Sequence, residues 1–154
     1  AWQEGLLREL GRIHTQEDFL NAYYWARESG FDNISTDLIF ALPNQTSGMW
    51  KETLDKVICL GVDHISCYSL ILEEGTRLYE LYKEGKVQLP DEELDREMYG
   101  MAVDILGCSG YRQYEISNFA RKGMECKHNL IYWRNEEYLG IGAGSHSKLE
   151  GKRF

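Results

Sequence analysis

Three groups of residues have types and spacings that could support chemistry: a carboxylate inside a predicted strand, an aromatic segment that begins with a histidine, and a glycine-rich run. The carboxylate, Asp37, lies within the otherwise apolar and β-branched residues 34–40. An unpaired carboxylate in a protein core costs on the order of several kcal/mol. Asp37 therefore either faces a cavity as a ligand-binding group or caps a loop backbone, and the residues alone leave both interpretations open.

The segment His128-Asn-Leu-Ile-Tyr-Trp133 combines an imidazole, an amide and two large aromatic side chains. Imidazole is a good ligand for haem iron, and aromatic faces stack on flat macrocycles. A loop that Tyr132 and Trp133 pin into the core would explain the same residues without a ligand. The chemistry of the segment permits both interpretations.

The remaining candidate groups carry weaker signals. Gly140, Gly142 and Gly144 form GxGxG without the strand–turn–helix context of a dinucleotide fingerprint, so they indicate close backbone approach to a ligand or a neighbouring strand. His14 and His64 share no recognisable metal-ligand spacing, and we expect structural or surface roles for them. The four cysteines are too scattered for a zinc site or an iron–sulfur cluster.

Composition excludes several classes of protein. The net charge of −8, without a lysine or arginine stripe, argues against nucleic acid as a partner. No apolar run approaches the roughly 20 residues of a membrane-spanning helix. The scattered cysteines indicate reduced thiols and a cytoplasmic location. Because the chain opens inside a helical pattern and without methionine, we expect it to be a piece of a longer protein.

The elements that must position these residues alternate between helix and strand. The predicted order is a helix from the Thr15 cap to Gly30, a strand at 34–40, a helix from Thr46 or Ser47 to Gly61, a strand at 65–72, a short helix at 78–82, a helix from Asp91 to Gly107, a strand at 111–116, an irregular stretch at 117–137 and a glycine-rich strand or loop at 138–146. Strands that alternate with helices predict an α/β fold with right-handed βαβ units and a mostly parallel sheet.

Eight segments of the chain resemble, in the same order, the HemN/HemW family of radical S-adenosylmethionine (radical SAM) proteins. That family contains oxygen-independent coproporphyrinogen III oxidase and its haem-chaperone relatives. The matching segments are residues 11–15, 34–46, 64–70, 73–76, 89–91, 114–120, 128–133 and 138–146.

The resemblance implies part of an open (β/α)6 barrel of the TIM-like radical SAM type. Residues 1–110 would form the C-terminal half of that barrel. Residues 111–154 would add the last strands and the HNxxYW segment of the same domain, including a family-specific C-terminal segment. The N-terminal part, whose CxxxCxxC motif holds a [4Fe–4S] cluster in the family, is absent from this sequence.

The resemblance also implies roles for individual residues. Arg12 matches an arginine that pairs with the methionine carboxylate of S-adenosylmethionine, and Asp37 matches a carboxylate near its ribose hydroxyls. Residues 66–71 match the strand beside the adenine, so Ser66 and Ile71 complete the expected cofactor-binding set. The resemblance thus implies that S-adenosylmethionine is bound by Arg12, Asp37, Ser66 and Ile71.

The HNxxYW motif resembles the chaperone branch of the family, where the histidine is associated with haem. His128 is therefore the candidate ligand of the haem iron, with Asn129, Tyr132 and Trp133 as its supporting residues. The leading hypothesis is a fragment of a haem-chaperone-like protein that binds haem or a porphyrin and delivers it, with a haem-accepting protein as a possible partner.

Two alternatives stay open. The first is an oxygen-independent coproporphyrinogen III oxidase, which would decarboxylate propionate groups in porphyrin biosynthesis. Because the cluster motif lies outside this sequence, the chain alone should then be inactive. The second is a structural half-barrel fragment that retains no binding of its own.

Overall fold

The computed structural model describes all 154 residues, which divide into two compact units, Ala1–Met124 and Glu125–Phe154. The first unit contains α1 (Glu4–Glu9), α2 (Gln16–Glu28), β1 (Ser35–Phe40), α3 (Ser47–Leu60), β2 (His64–Ser69), α4 (Arg77–Lys83), α5 (Glu92–Cys108), β3 (Arg112–Gln113) and β4 (Asn118–Ala120). The second contains α6 (Lys127–Trp133), β5 (Lys148–Leu149) and β6 (Lys152–Arg153). None of the helices combines the length and the apolar character that crossing a lipid bilayer requires.

The three long helices of the first unit, α2, α3 and α5, begin where the sequence predicts. Thr15 and Asp18 form both halves of a capping box at the start of α2. Thr46 caps α3 through the backbone N–H of Met49, and Asp91 caps α5 in the same manner. Gly61 ends α3 with a left-handed φ of 71°, a conformation that costs glycine least. The predicted helix boundaries at these caps are confirmed.

The sheet of the first unit has the strand order β1-β2-β4-β3. β1 and β2 are parallel, as the helix between them predicts, but β4 runs antiparallel to both β2 and β3. The prediction of a mostly parallel sheet is therefore wrong for the pairing of β4 with β2 and for the pairing of β3 with β4. Only a short turn separates these two strands, closed by a hydrogen bond from the Tyr114 N–H to the Asn118 carbonyl (3.2 Å), and a short connection joins antiparallel neighbours.

The hydrophobic core lies on one face of this sheet, beneath α3 and α5. Trp50 is fully buried there, packs its ring 5.3 Å from that of Phe40, and donates its indole N–H to the Met98 carbonyl (2.8 Å). Because side chains alternate along a strand, the residues between the core positions point to the opposite face. In β1 and β2 those residues include Ser35, Asp37, His64 and Ser66. The opposite face is therefore polar.

Two other strands differ in length from the sequence prediction. The strand predicted at 65–72 ends at Ser69, and the strand predicted at 111–116 contains only Arg112–Gln113. β4 falls inside the stretch 117–137, which was expected to be irregular. Its three residues are too few to show a period, and they are held by pairing with β2 and β3.

The second unit departs further from the expected loop. The HNxxYW segment is helical in α6, so the prediction of an irregular loop is wrong there. Within residues 138–146 only Tyr138 pairs with another strand, through an antiparallel bridge to Lys148, while β5 and β6 form a hairpin. The expected domain boundary near residue 110 concerns membership of a larger barrel, and it stays a prediction.

Candidate functional site

Asp37 begins a row of polar side chains that crosses the polar face of the sheet. The strand register places Asp37 opposite Ser66, and Ser66 opposite Asn118. Paired residues of neighbouring strands point to the same face, about 5 Å apart. Ser66 and Asn118 are buried, whereas Asp37 is exposed. Two of the four predicted cofactor-binding residues, Asp37 and Ser66, are therefore direct neighbours.

A second polar row fixes the ring of His64. Its Nδ1 lies 2.8 Å from the Ser35 hydroxyl, and its Nε2 lies 2.7 Å from the Tyr114 hydroxyl. Burial lowers the pKa of His64, although the negative charges of Asp37 and Glu115 act in the opposite direction. A neutral imidazole can donate at one nitrogen and accept at the other, so both hydroxyls are satisfied. The structural role expected for His64 agrees with this geometry, and His14 is exposed.

Asn118 brings an unused acceptor to the polar face. Its amide Nδ2 donates to the Glu115 carboxylate, which also accepts from the Ser117 backbone N–H (2.9 Å). This contact fixes the orientation of the amide, because a flip would place two oxygens against each other. The buried Oδ1 has no hydrogen-bond partner. The polar row therefore ends in a position that suits an N–H or O–H donor.

Arg12 and Ile71 lie together at the carboxyl end of the same strands. They line a cavity of about 300 Å³ whose wall includes Ile39 and Leu70. Ile39 follows Asp37 by two residues and points to the same face of β1, so roughly 7 Å of strand separates Asp37 from this cavity. The carboxyl ends of strands are where polar residues gather in (β/α) barrels.

Arg12 and Asp37 do not, however, line one cavity. Asp37 lines a smaller cavity of about 80 Å³ together with Thr36 and His14. The guanidinium and the carboxylate thus line separate cavities. A guanidinium suits a carboxylate and Asp37 suits hydroxyl groups, so both fit the functional groups of S-adenosylmethionine.

In the second unit, His128 stands in the first turn of α6 with its imidazole exposed. Tyr132 lies one turn further, and its ring meets the His128 ring edge-to-face with centroids 4.8 Å apart. The Tyr132 ring in turn lies 4.6 Å from that of Tyr138. Asn129 is half-buried and Trp133 is 56% exposed. Of the predicted haem-binding residues, the structure thus places His128 and Tyr132 in direct ring contact.

The second unit has the properties that a haem site requires of its protein part. An accessible imidazole can bind iron, and apolar side chains can cover the macrocycle. The exposed large apolar residues of this unit are Tyr132, Trp133, Leu139, Ile141, Leu149 and Phe154. The residues present therefore fit haem. Tyr132 and Trp133 are exposed, so they do not pin this segment into the core.

Sequence reasoning missed two aromatic residues beside the candidate sites. Tyr138 extends the ring contacts of Tyr132, and Tyr68 is the exposed register partner of Ile39 on the polar face. Tyr138 opens the glycine-rich run and Tyr68 lies at an outward-facing position of a strand. Strand alternation could have identified Tyr68, but no local signal connects Tyr138 with α6.

The chain is similar over nearly its whole length to curated proteins that carry two names. Heme chaperone HemW of Bacillus subtilis is 45% identical over 153 residues, which cover 99% of this chain and 40% of that protein. Heme chaperone HemW of Lactococcus lactis is 42% identical over 154 residues and 41% of its length. The mitochondrial radical S-adenosyl methionine domain-containing protein 1 of Danio rerio is 40% identical over 143 residues and 32% of its length.

The chain spans about two fifths of the length of the HemW relatives that it matches. Among solved structures, it resembles coproporphyrinogen III oxidase (HemN) from Escherichia coli, a radical SAM enzyme, with a TM-score of 0.73. The alignment covers 95% of this chain and 36% of that chain at 21% identity, which shows the fold. The predicted fold class is thereby confirmed. No family model matches the chain.

Proposed function

This chain belongs to the HemN/HemW family of radical SAM proteins, and from that premise we propose that it is part of a protein that binds haem and delivers it. The relatives that share 42–45% of its residues are named heme chaperones. That name belongs to those relatives, and we extend the function to this chain on the residues of the second unit.

One observation carries the proposal: the exposed imidazole of His128, backed by the Tyr132 ring at 4.8 Å. An iron ligand must be reachable from solvent and must hold one orientation. The helix supplies the orientation, because residues four apart lie on the same face. In the proposal His128 binds the haem iron, while Asn129, Tyr132 and Trp133 surround the macrocycle.

The first unit would serve as the radical SAM scaffold. Arg12 would hold the methionine carboxylate, Asp37 the ribose hydroxyls, and Ser66 and Ile71 the nucleoside. Bound S-adenosylmethionine, together with a [4Fe–4S] cluster whose ligands lie outside this chain, would supply the radical chemistry of the family. Because the chain lacks those ligands, we propose no catalytic residue in it.

The proposal is tested by titrating the chain with haemin and following the Soret absorbance. Wild type should give a saturable shift, and His128→Ala should weaken the affinity at least tenfold, or about 1.4 kcal/mol, through loss of the axial ligand. The matched control is His14→Ala, which removes another exposed histidine from the first unit.

Equal titrations of wild type and His128→Ala would remove His128 as the ligand. Equal losses in His128→Ala and His14→Ala would point to unspecific uptake. Far-UV circular dichroism should be unchanged in both variants, because both side chains are exposed.

A haem-accepting protein is the partner that delivery requires, and a cytoplasmic location agrees with the four free cysteines. Oxygen-independent coproporphyrinogen III oxidase remains the alternative function. The likeness to HemN concerns the fold, at 21% identity, and no residue of the candidate sites favours decarboxylation over haem binding. Haem binding and delivery is therefore the function we propose.

A further inference from the structure

The two units differ in charge. Glu125–Phe154 carries five basic and four acidic residues, whereas Ala1–Met124 carries 12 basic and 21 acidic residues. The unit that presents His128 is therefore slightly cationic within an acidic chain. Because its net charge is slightly positive, the second unit attracts an anionic ligand, whereas the acidic first unit repels it.

A row of three side chains in the second unit faces the aromatic residues of the candidate haem site. Tyr138 is bridged to Lys148, and Lys148 is the register partner of Arg153. Partners in a ladder share a face, so Tyr138, Lys148 and Arg153 form one row. The Lys148 ammonium group donates to the Asn135 carbonyl, just beyond the end of α6. This contact places the face of the row toward α6.

A chain of direct contacts connects this row with the imidazole. The Tyr138 ring meets the Tyr132 ring, which meets the His128 ring, at 4.6 and 4.8 Å. Lys148 is buried and already bonded, whereas Arg153 is exposed and forms no ion pair. The guanidinium of Arg153 is thus an available cation on the same side of the hairpin as the ring contacts.

We propose that Arg153 binds a carboxylate of the ligand whose iron His128 binds, so that the site selects tetrapyrroles with free propionate groups. This inference rests on the proposed function. A guanidinium forms paired, charge-assisted hydrogen bonds with a carboxylate. The exposed apolar residues of the second unit would cover the apolar ring of such a tetrapyrrole. Lys152 pairs with Leu149 and points to the other face of the hairpin, so it takes no part.

The experiment compares haemin with haemin dimethyl ester in titrations of wild type, Arg153→Ala, Arg153→Lys and Lys152→Ala. Wild type should bind the diacid about tenfold more tightly than the ester, as expected for one charge-assisted contact. Arg153→Ala should remove that preference by weakening only the diacid. Arg153→Lys should restore part of it, and Lys152→Ala should retain it.

The outcomes separate this inference from the proposed function. Wild type that binds diacid and ester equally well overturns the role of Arg153 and leaves haem binding intact. Equal losses of diacid affinity in Arg153→Ala and Lys152→Ala show general charge attraction and overturn it too. Wild type that takes up neither compound overturns the proposed function and, with it, this inference.

Discussion

The two candidate sites of this chain are built in opposite ways. On the polar face of the sheet, Asp37, Ser66 and His64 are held by strand register and by a core in which Trp50 is fully buried. In the second unit, α6 is a seven-residue helix without a buried residue and without a side-chain hydrogen bond at its N-cap. Isolated helices of this length are marginal in water, so packing must hold α6.

The two sites are therefore suited to different ligands. A cofactor that stays in place benefits from groups fixed before it arrives, as on the sheet. A ligand that is taken up and passed on must be reached and released, which favours an exposed imidazole. The exposed imidazole of His128 therefore agrees with the haem delivery that we propose.

The largest effect should come from removing the core beneath the sheet. Trp50→Ala should lower the free energy of unfolding of the chain by about 3–5 kcal/mol, because it leaves a cavity and removes the indole hydrogen bond to Met98. Urea unfolding followed by far-UV circular dichroism measures this loss.

The matched control replaces the tryptophan of the second unit. Trp133 is 56% exposed, so Trp133→Ala should change stability by no more than about 0.5 kcal/mol. Comparable losses in the two variants would mean that the two units are stabilised alike.

A smaller effect is expected in the glycine-rich run, where Gly140 lies against the backbone of His146. An added Cβ at Gly140 would clash with the His146 carbonyl oxygen, so the backbone must shift. Gly140→Ala should therefore destabilise this part of the second unit by about 1–3 kcal/mol. Faster hydrogen exchange at the bridged amides of Tyr138 and Lys148 would report it.

Gly100→Ala is the matched control, since nothing lies within 4 Å of the added Cβ in α5. It should stabilise the first unit by about 0.5–1 kcal/mol through helix propensity. Unchanged exchange at Tyr138 in Gly140→Ala would show that the run is already adaptable enough to accept a side chain.

The parts of the fold that local chemistry determines were predictable. The Thr15–Asp18 capping box, the Asp91 cap and the left-handed Gly61 each act within one helical turn, and each lies where the sequence places it. The neighbourhood of Asp37 and Ser66 was likewise predictable, because parallel strands joined by a helix bring their matching positions together.

The parts that depend on pairing between distant segments were not predictable. β4 has three residues and is held by hydrogen bonding to β2 and β3. It is too short for an alternation of apolar and polar residues to predict it. α6 lacks a capping side chain, and its Tyr132 and Trp133 are exposed. The sequence therefore shows neither a helix start signal nor a buried apolar face there. The contact between Tyr132 and Tyr138 depends on that helix and was missed with it.

The smallest effect should be a pH dependence that belongs to the first unit. Burial lowers the pKa of His64 below its ordinary value of 6.5, so the folded state favours the neutral ring. The unfolded chain then binds more protons just below pH 6.5 than the folded chain does. Stability should be full above that pH and should fall as the pH decreases through the window below it.

Urea midpoints at pH about 7.5 and about 5 measure this loss, which His64→Gln should reduce. The amide retains hydrogen-bonding groups toward Ser35 and Tyr114 but cannot titrate. His128→Gln, an exposed change in α6, should keep the wild-type dependence. If both variants kept it, the loss would come from other groups, and the fixed imidazole of the sheet would no longer distinguish the two units.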